Sequence, residues 1–297
     1  MSPIPPLADN PAALDALSRV EILYTDLDGT LLGRGGSLLV DAQGKPALQT
    51  ARAVTQLNAA GLPLILTTGR NRIQCTEITR LLGWRGFLAE LGCVMVTDRG
   101  SDPIYFTGDW PHDLLSPSET PYERIVAMGA VERLARAFPG RLEPHAPYHL
   151  NREATVLLRG SLDIDEARSI LGDLEVAVDI ADNGIVHPRS TGLTDVVEVH
   201  AYHLIPHGVT KARAAAADLA GRGLSRGQAA SIGDAESDVA MADATAIGVL
   251  VANAPADVRV REAAATRTNV YVTASERGEG WAEFADAWLA ARVTVRG

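Results

Sequence analysis

Ile22-Leu23-Tyr24-Thr25-Asp26-Leu27-Asp28-Gly29-Thr30-Leu31-Leu32 joins a short apolar run, heavy in β-forming residues, to two carboxylates two residues apart. The run reads as a buried parallel strand about five residues long, with helical patterns downstream. In open α/β sheets ligands bind beyond the carboxyl ends of the strands, and Asp26 and Asp28 fall there. Side chains alternate along a strand, so the two acids share a side only while extended geometry continues. Gly29 predicts a break, so they approach one site from different angles. Paired carboxylates repel and call for a counter-charge, which a hard divalent cation such as Mg²⁺ supplies through oxygen ligands. A bare D-x-D-G is also a common solvated turn. Here the hydrophobic strand before it and the partners downstream favour the functional reading.

Those partners follow in order. A Gly-rich turn, Gly33 to Gly36, is expected as a mobile flap beside the site. Residues Ala47–Ala60 carry Leu48, Ala51, Val54, Leu57 and Asn58 at near-helical spacing, and Gly61 is a stop signal. Leu62-Pro63-Leu64-Ile65-Leu66-Thr67-Thr68-Gly69-Arg70 then reads as a second buried strand with a small polar end. A βαβ unit makes it parallel and adjacent to the first, with Thr67-Thr68-Gly69 beside Asp26. A hydroxyl and free backbone N–H groups there can hold an anionic oxygen, although Thr-Thr-Gly alone also reads as a strand-to-helix cap. Arg72–Leu82 is expected as a helix with Ile73, Ile78, Leu81 and Leu82 inward. Gly86–Glu90 and Cys93–Val96 read as a strand and its return, with Glu90 either in the site or on a surface hairpin.

Near Gly108 the texture changes. From Asp109 to about Val199 come Pro-rich turns, a helix Arg124–Ala137, a short helix Ile164–Leu171, and strand candidates Ala154–Leu158, Val176–Ile180 and Gly184–Pro188. This mixture reads as an α+β insert forming a second domain. Val209-Thr210-Lys211 then opens a helix, Lys211–Ala220, with Thr210 as cap. A lysine at a helix start opposes the macrodipole and points to a nearby anion. Only Lys45 and Lys211 occur in the chain. Finally Ala229–Val239 places Asp234 at a strand end and Asp238 at the next helix start, a pattern that alone is also an ordinary acidic N-cap.

Composition narrows the classes. The chain has 297 residues, enough for two domains or one large one, and is 46% hydrophobic and 22% charged. A net charge of −10 without any Lys/Arg-rich run gives no footprint for nucleic acid. Cys75 and Cys93 lack metal-ligand spacing, and the histidines lack H-E-x-x-H, which argues against zinc. Met1–Asn10 is read as a loose tail rather than a signal peptide. No stretch reaches the apolar length of a membrane span. The expectation is a soluble cytoplasmic protein. G-x-G-x-x-G is missing after the first strand, which disfavours a nucleotide-binding dehydrogenase.

Taken together, Asp26-Leu27-Asp28-Gly29-Thr30, Thr68-Gly69, Lys211 and Gly233-Asp234-Ala235-Glu236-Ser237-Asp238 resemble, in order, the four motifs of the haloacid dehalogenase (HAD) superfamily of phosphatases. The insert sits where that superfamily's C2-type caps sit. The Thr-Gly-Arg and Gly-Val-Thr-Lys segments look like subgroup IIB, the Cof-like, sucrose-phosphatase and mannosyl-3-phosphoglycerate phosphatase branch. The resemblance implies an α/β fold: a Rossmann-like parallel-sheet core over 20–108 and 200–297, after a tail and lead-in at 1–19. It also implies an inserted α+β C2-type cap over 109–199. It makes Asp26 the nucleophile, Asp28 the general acid and base, and Thr68 and Lys211 the groups that grip the phosphoryl oxygens. Gly69 and Arg70 join the substrate site. Mg²⁺ is expected on Asp26, the backbone carbonyl of Asp28 and Asp234, with Asp238 as a further ligand or support. Two departures stand out: Ser237 replaces the usual Asn, and Glu90-Leu91-Gly92 replaces an apolar-Asn-Gly-Ala segment.

The expected activity is Mg²⁺-dependent phosphomonoester hydrolysis through an aspartyl-phosphate. The expected substrate is a sugar phosphate or phosphorylated glycoside, such as mannosyl-3-phosphoglycerate or sucrose phosphate. Arg152, His187 and Arg189 are the cap residues expected to set specificity. A sugar phosphomutase or other phosphotransferase shares the same motifs. A non-catalytic phosphate-binding regulator is the alternative of a different class. The expected partner is a small phosphate ester, with no nucleic acid or membrane, acting on a monomer or weak homo-oligomer.

Overall fold

Ile22–Thr25 is buried at all four positions and forms the central strand β1 of the computed structural model, which describes residues 4–296, with side chains to residue 292. Ahead of it lies helix α1 (Pro11–Ser18). After it come α2 (Gln49–Ala59), β2 (Leu64–Thr67), α3 (Arg72–Leu82), β3 (Gly86–Ala89), β4 (Val94–Val96) and β5 (Ile104–Tyr105). The insert holds α4 (Pro121–Ala127), α5 (Ala130–Ala137), β6 (Leu142–Pro144), β7 (Val156–Gly160), α6 (Ile164–Leu171), β8 (Val178–Ile185) and β9 (His200–Pro206). The chain then returns through α7 (Lys211–Gly221), β10 (Ala229–Gly233), α8 (Glu236–Met241), β11 (Ile247–Leu250), α9 (Val258–Ala265), β12 (Val270–Val272) and α10 (Arg277–Arg296).

Among the described residues these strands form two sheets. The larger has the order β12-β11-β10-β1-β2-β3-β4-β5. Its first six strands are parallel, and β4 and β5 return antiparallel. Alternate residues of β1 serve opposite faces, as the pleat requires. Ile22 and Tyr24 pack with Ala214, Leu219 and Met241 of α7 and α8. Leu23 packs with Leu17, Leu57, Trp281 and Trp288 of α1, α2 and α10. Burial on both faces explains why β1, β2 and β10 read as continuous apolar runs rather than alternating ones. Register brings their carboxyl ends level: Thr25 pairs with Leu66 on one side and Ile232 on the other. Asp26, Thr67 and Gly233 therefore end side by side.

The second sheet, β6-β7-β9-β8, is antiparallel. Helices α4–α6 cover one face, with Ile125, Leu134 and Leu171 packed on Val156, Leu158, Tyr202 and Leu204. The two crossings into the insert run together, the Asp109 N–H donating to the His207 carbonyl at 2.9 Å.

Several elements differ from expectation. The division expected at 199/200 falls at the start of β9, which pairs with β7 and β8 and so belongs to the insert's sheet. The tail expected over 1–19 is anchored where it is described. Leu7 donates to the Val272 carbonyl at 2.8 Å, Val272 donates to Pro5 at 3.0 Å, and Leu7, Ala13 and Leu17 are buried. Residues 1–3 lie outside the described chain. The helix expected over 124–137 is two helices, broken at Gly129, whose φ of 74° lies in the left-handed region. The two strand candidates after 176 are one strand with an irregularity between Asp182 and Ile185. Helix α3 has the expected ends but buries Cys75 and Thr79, leaving Ile73 and Leu81 exposed. The Thr79 hydroxyl donates to the Cys75 carbonyl at 2.8 Å, so this small polar residue is buried without an unmet hydrogen bond. Both cysteines are buried, free thiols whose pKa is pushed up by burial, and they act as small apolar residues.

Trp281 ties the last helix to the central strand. Its indole N–H donates to the Thr25 hydroxyl at 2.9 Å, and its ring stacks on Trp84 at 6.3 Å. Trp281→Ala is expected to destabilise the protein by about 3–5 kcal/mol in urea unfolding. Val197→Ala, at a fully exposed position, should stay within about 0.5 kcal/mol of the parent.

Candidate active site

The carboxyl ends of β1 and β10 and the first turn of α7 converge on one buried ammonium. Lys211 Nζ lies 2.7 Å from Asp26 Oδ1 and 2.8 Å from Asp238 Oδ1. Thr210 caps α7, its side chain accepting from the Arg213 N–H, so Lys211 is the first helical residue, as expected. The second Asp238 oxygen accepts from the backbone N–H groups of Asp234 and Ala235, at 3.2 and 3.0 Å. Asp238 thus fixes the turn that carries Asp234. Asp234 in turn accepts from the Thr30 hydroxyl and from Asn253 Nδ2, each at 3.2 Å. Carboxylate oxygens of Asp26, Asp234 and Asp238 all lie within 4.8 Å of one another.

Electrostatics follow from this crowding. Burial pushes the Asp26 carboxyl well above its ordinary value; Lys211 opposes that shift, and Asp238 and Asp234 add to it. Asp234 is pushed up to about 6, by burial first and Asp238 second. Burial works against the Lys211 ammonium, but Asp238 and Asp26 hold its pKa above the lysine range. Three carboxylates around one ammonium leave an unbalanced negative charge. All three are hard oxygen donors, a set that suits a small divalent cation.

Asp28 stands apart from this cluster. Gly29, at φ 87°, turns the chain after Asp28, and a Cβ on it would collide with the Asp234 carboxylate. Asp28 is half-exposed and held by a two-point pair with Arg70: Nε to Oδ2 at 2.8 Å and Nη2 to Oδ1 at 2.6 Å. The Thr68 N–H is taken by the Leu88 carbonyl, while its hydroxyl accepts from the Arg70 N–H at 3.3 Å. Thr68, Gly69 and Arg70 therefore lie beside Asp28, just past the end of the strand next to β1.

Glu90 is in neither of its expected places. It is fully buried at the junction with the insert, at φ 52°. Its carboxylate accepts from the N–H groups of Glu153, Ala154 and Thr155 and from the Thr155 hydroxyl, at 2.8–3.2 Å. Leu91 follows at φ 62°, a region costly for a residue with a Cβ and easier for the asparagine that the resemblance led one to expect. Asn71 Nδ2 donates to Leu150, and Arg72 forms a two-point pair with Glu153. Arg152 is not free to meet a substrate. Its side chain is 2% exposed, donates to Thr155 Oγ1 and the Tyr148 carbonyl, and lies 3.8 Å from Glu90. His187 and Arg189 are exposed in the loop after β8, and no hydrogen bond or ion pair among the described residues uses their side chains. Ser237 is exposed on α8, and the amide that meets Asp234 comes from Asn253. Asn253 was not singled out in the sequence. The signal available was its position just past the apolar end of β11. A cavity of about 650 Å³ lined by Leu64, Trp84 and Gly86 lies at the amino ends of β2 and β3, away from the carboxylates.

An acid-rich, lysine-bridged cluster thus lies at the carboxyl edge of a doubly wound α/β sheet, where ligands of such sheets bind. The model of the haloacid dehalogenase-like hydrolases matches residues 23–109 and 194–275, more than half of the chain. The chain belongs to that family of hydrolases. It is 27% identical over 267 residues to a phosphoglycolate phosphatase of Methanoculleus marisnigri, covering 89% of this chain and 94% of the relative. It is 28% identical over 265 residues to a phosphoglycolate phosphatase of Archaeoglobus fulgidus, covering 88% and 93%. Among solved structures, the sucrose-phosphatase of Synechocystis in complex with sucrose and phosphate shares the fold. Its TM-score is 0.59 at 17% identity, with 91% of this chain and 98% of that one covered. No helix among the described residues is long and apolar enough to cross a membrane.

The acid cluster makes metal binding measurable as stability. Saturating Mg²⁺ is expected to raise the melting temperature, since a ligand at 100-fold its Kd adds about 2.7 kcal/mol, or roughly 4 °C for a chain of this size. EDTA should reverse the gain. Asp234→Asn should lose most of it, and an unchanged Mg²⁺ response in that variant would place the ion elsewhere.

Proposed function

We propose that this chain is a Mg²⁺-dependent phosphomonoester hydrolase that works through an aspartyl-phosphate on Asp26. The observation that carries the reading is the Lys211 ammonium held between Asp26 and Asp238, with Asp234 beside them. Lys211 fixes Asp26 Oδ1 and leaves the second oxygen for attack on phosphorus. As the Asp26–phosphorus bond forms, the ester P–O bond breaks and the leaving oxygen takes a proton from Asp28. Water then attacks the phosphoryl group, gives its proton to Asp28, and releases Asp26 and inorganic phosphate. Arg70 holds both Asp28 oxygens in the resting site, so the fork releases one of them before Asp28 carries the proton it donates; Lys211 with the Thr68 hydroxyl supports the charge of the phosphoryl oxygens. Mg²⁺ would be held by Asp26, Asp234 and the Asp28 carbonyl, and supplies the charge that lets an anionic nucleophile meet an anionic ester. Asp238 gives one oxygen to the Lys211 ammonium and the other to two backbone N–H groups, whereas each Asp234 oxygen meets one neutral donor at 3.2 Å, so we assign Asp238 support rather than direct ligation.

For the substrate we propose a small phosphorylated metabolite, enclosed between the core and the insert acting as a C2-type cap. The relatives' name, phosphoglycolate phosphatase, supports a short phosphorylated acid. The resemblance to the IIB branch supports a sugar phosphate or phosphorylated glycoside. The proposed setting is the cytoplasm, with no nucleic acid or membrane as partner.

Phosphate release from phosphoglycolate, sugar phosphates and p-nitrophenyl phosphate, with Mg²⁺ and with EDTA, tests the reading. Release is expected only with Mg²⁺. Asp26→Asn should abolish it, and Asp28→Asn should lower kcat by about 10²–10⁴-fold. Retained turnover in Asp26→Asn would overturn the mechanism. Transfer of phosphate to a second sugar in place of release would make the chain a phosphotransferase.

A further inference from the structure

The insert's sheet leaves one face uncovered by α4–α6, and that face meets the core. Val156, Leu158, Tyr202 and Leu204 point to the helices. The alternate positions Leu157 and His203 are cross-strand partners on the other face, and Ile205 on that face joins the core's own cluster. His203 is 1% exposed. Its Nε2 is 3.6 Å from where a Cβ on Gly69 would lie, which puts the ring over the Thr68-Gly69-Arg70 loop.

Which nitrogen carries the proton follows from a chain of hydrogen bonds. The Thr155 hydroxyl lies 2.8 Å from Glu90 Oε2, an oxygen that also accepts two backbone N–H groups. The single Thr155 hydroxyl proton therefore goes to Glu90. Arg152 donates to the same hydroxyl oxygen at 2.9 Å. His203 Nδ1 sits 3.4 Å from that oxygen, which has no proton left to give, so Nδ1 is the donor. Burial, with Arg152, His145 and Lys211 adding to it, holds the His203 pKa well below its ordinary value, so the ring carries one proton. Nε2 is then a bare lone pair facing the phosphate-gripping loop. No hydrogen bond among the described residues uses it.

We propose that His203 is a specificity residue of this site, its Nε2 accepting a hydrogen bond from a hydroxyl on the leaving group of the phosphate ester. The assignment rests on the phosphatase reading and goes further, because an acceptor-only nitrogen selects a donor. It favours hydroxylated phosphate esters over esters that offer only a carboxylate or an alkyl chain. Glu90 and Thr155 act through His203 as positioning residues that set its tautomer. A site built around a hydrogen bond to a substrate hydroxyl discriminates strongly against the analogue lacking it.

The test compares glycerol 3-phosphate with propyl phosphate, which has the same carbon chain and no hydroxyl. The parent enzyme, Mg²⁺-loaded, is expected to prefer glycerol 3-phosphate by at least about tenfold in kcat/KM, as one hydrogen bond of ordinary strength allows. His203→Ala should collapse that ratio, mainly through KM, and His203→Gln, which keeps an acceptor, should restore much of it. An unchanged ratio in His203→Ala overturns the proposal, as does a parent enzyme with no preference. Calorimetric binding of the two esters to Asp26→Asn, with and without His203→Ala, makes the same comparison without turnover. If the parent hydrolyses neither ester nor any other, the phosphatase reading fails while the calorimetry still decides the role of His203. Nitrogen NMR of the histidines is expected to show His203 as the Nδ1–H tautomer. An Nε2–H tautomer or a charged ring would overturn the proposal.

Discussion

The interaction on which the rest depends is the buried ammonium of Lys211 between Asp26 and Asp238. Removing one partner of such a group leaves an uncompensated charge out of water, typically at a cost of about 3–5 kcal/mol. The fold meets that constraint with long-range elements. Asp26 comes from β1, Asp238 from the start of α8, and Lys211 from the start of α7. Parallel pairing of β1 with β10 brings two of them together, and the Thr210 cap sets the third. The arrangement remains short of positive charge. Asp26 and Asp234 are both shifted upward by burial and by their neighbours, as ionisable groups at functional sites often are.

Around this centre the chain builds two further layers of control. Arg70 holds Asp28 outside the carboxylate cluster, so the proposed acid–base group and the proposed nucleophile have different surroundings although they are two residues apart. Different environments for paired carboxylates are what separate their chemical roles. The second layer is the junction through Glu90. Its own N–H donates to the Arg70 carbonyl, the next N–H donates to Thr68, and its carboxylate gathers the backbone of residues 153–155. The Thr68–Arg70 loop and the insert's sheet are thereby fixed to one side chain. The positive φ of Glu90 and Leu91 is backbone strain stored where the two sheets meet.

How much of this was legible in the sequence depended on the range of the interactions. The strand ends, the Gly29 break, the Thr210 cap and the βαβ order are local patterns, and they bring Asp26, Lys211, Asp234 and Asp238 to the strand and helix ends where the four cluster. The contacts of Asn253 and His203 were not legible, because each meets a neighbour far along the chain. Asn253 reaches Gly29 and Asp234 only because β11 lies beside β10. His203 reaches Gly69 only because β9 pairs with β7 on the insert's open face. Arg152 misled for the opposite reason: a charged residue in the insert reads as surface or substrate-facing, yet Glu90 and Thr155 give it a buried role. Helix α3 was misread at Ile73 and Leu81 because apolar spacing outweighed Cys75 and Thr79, two small residues that fit against the sheet.

The central claim is that Asp26 carries the phosphoryl group. Acid-quenching the Mg²⁺-loaded enzyme during turnover, followed by mass spectrometry of the peptide around Asp26, tests it most directly. The expected result is a phosphate adduct on Asp26 that appears and decays with turnover. Hydrolysis with no adduct at any time, or an adduct on another residue, would contradict it.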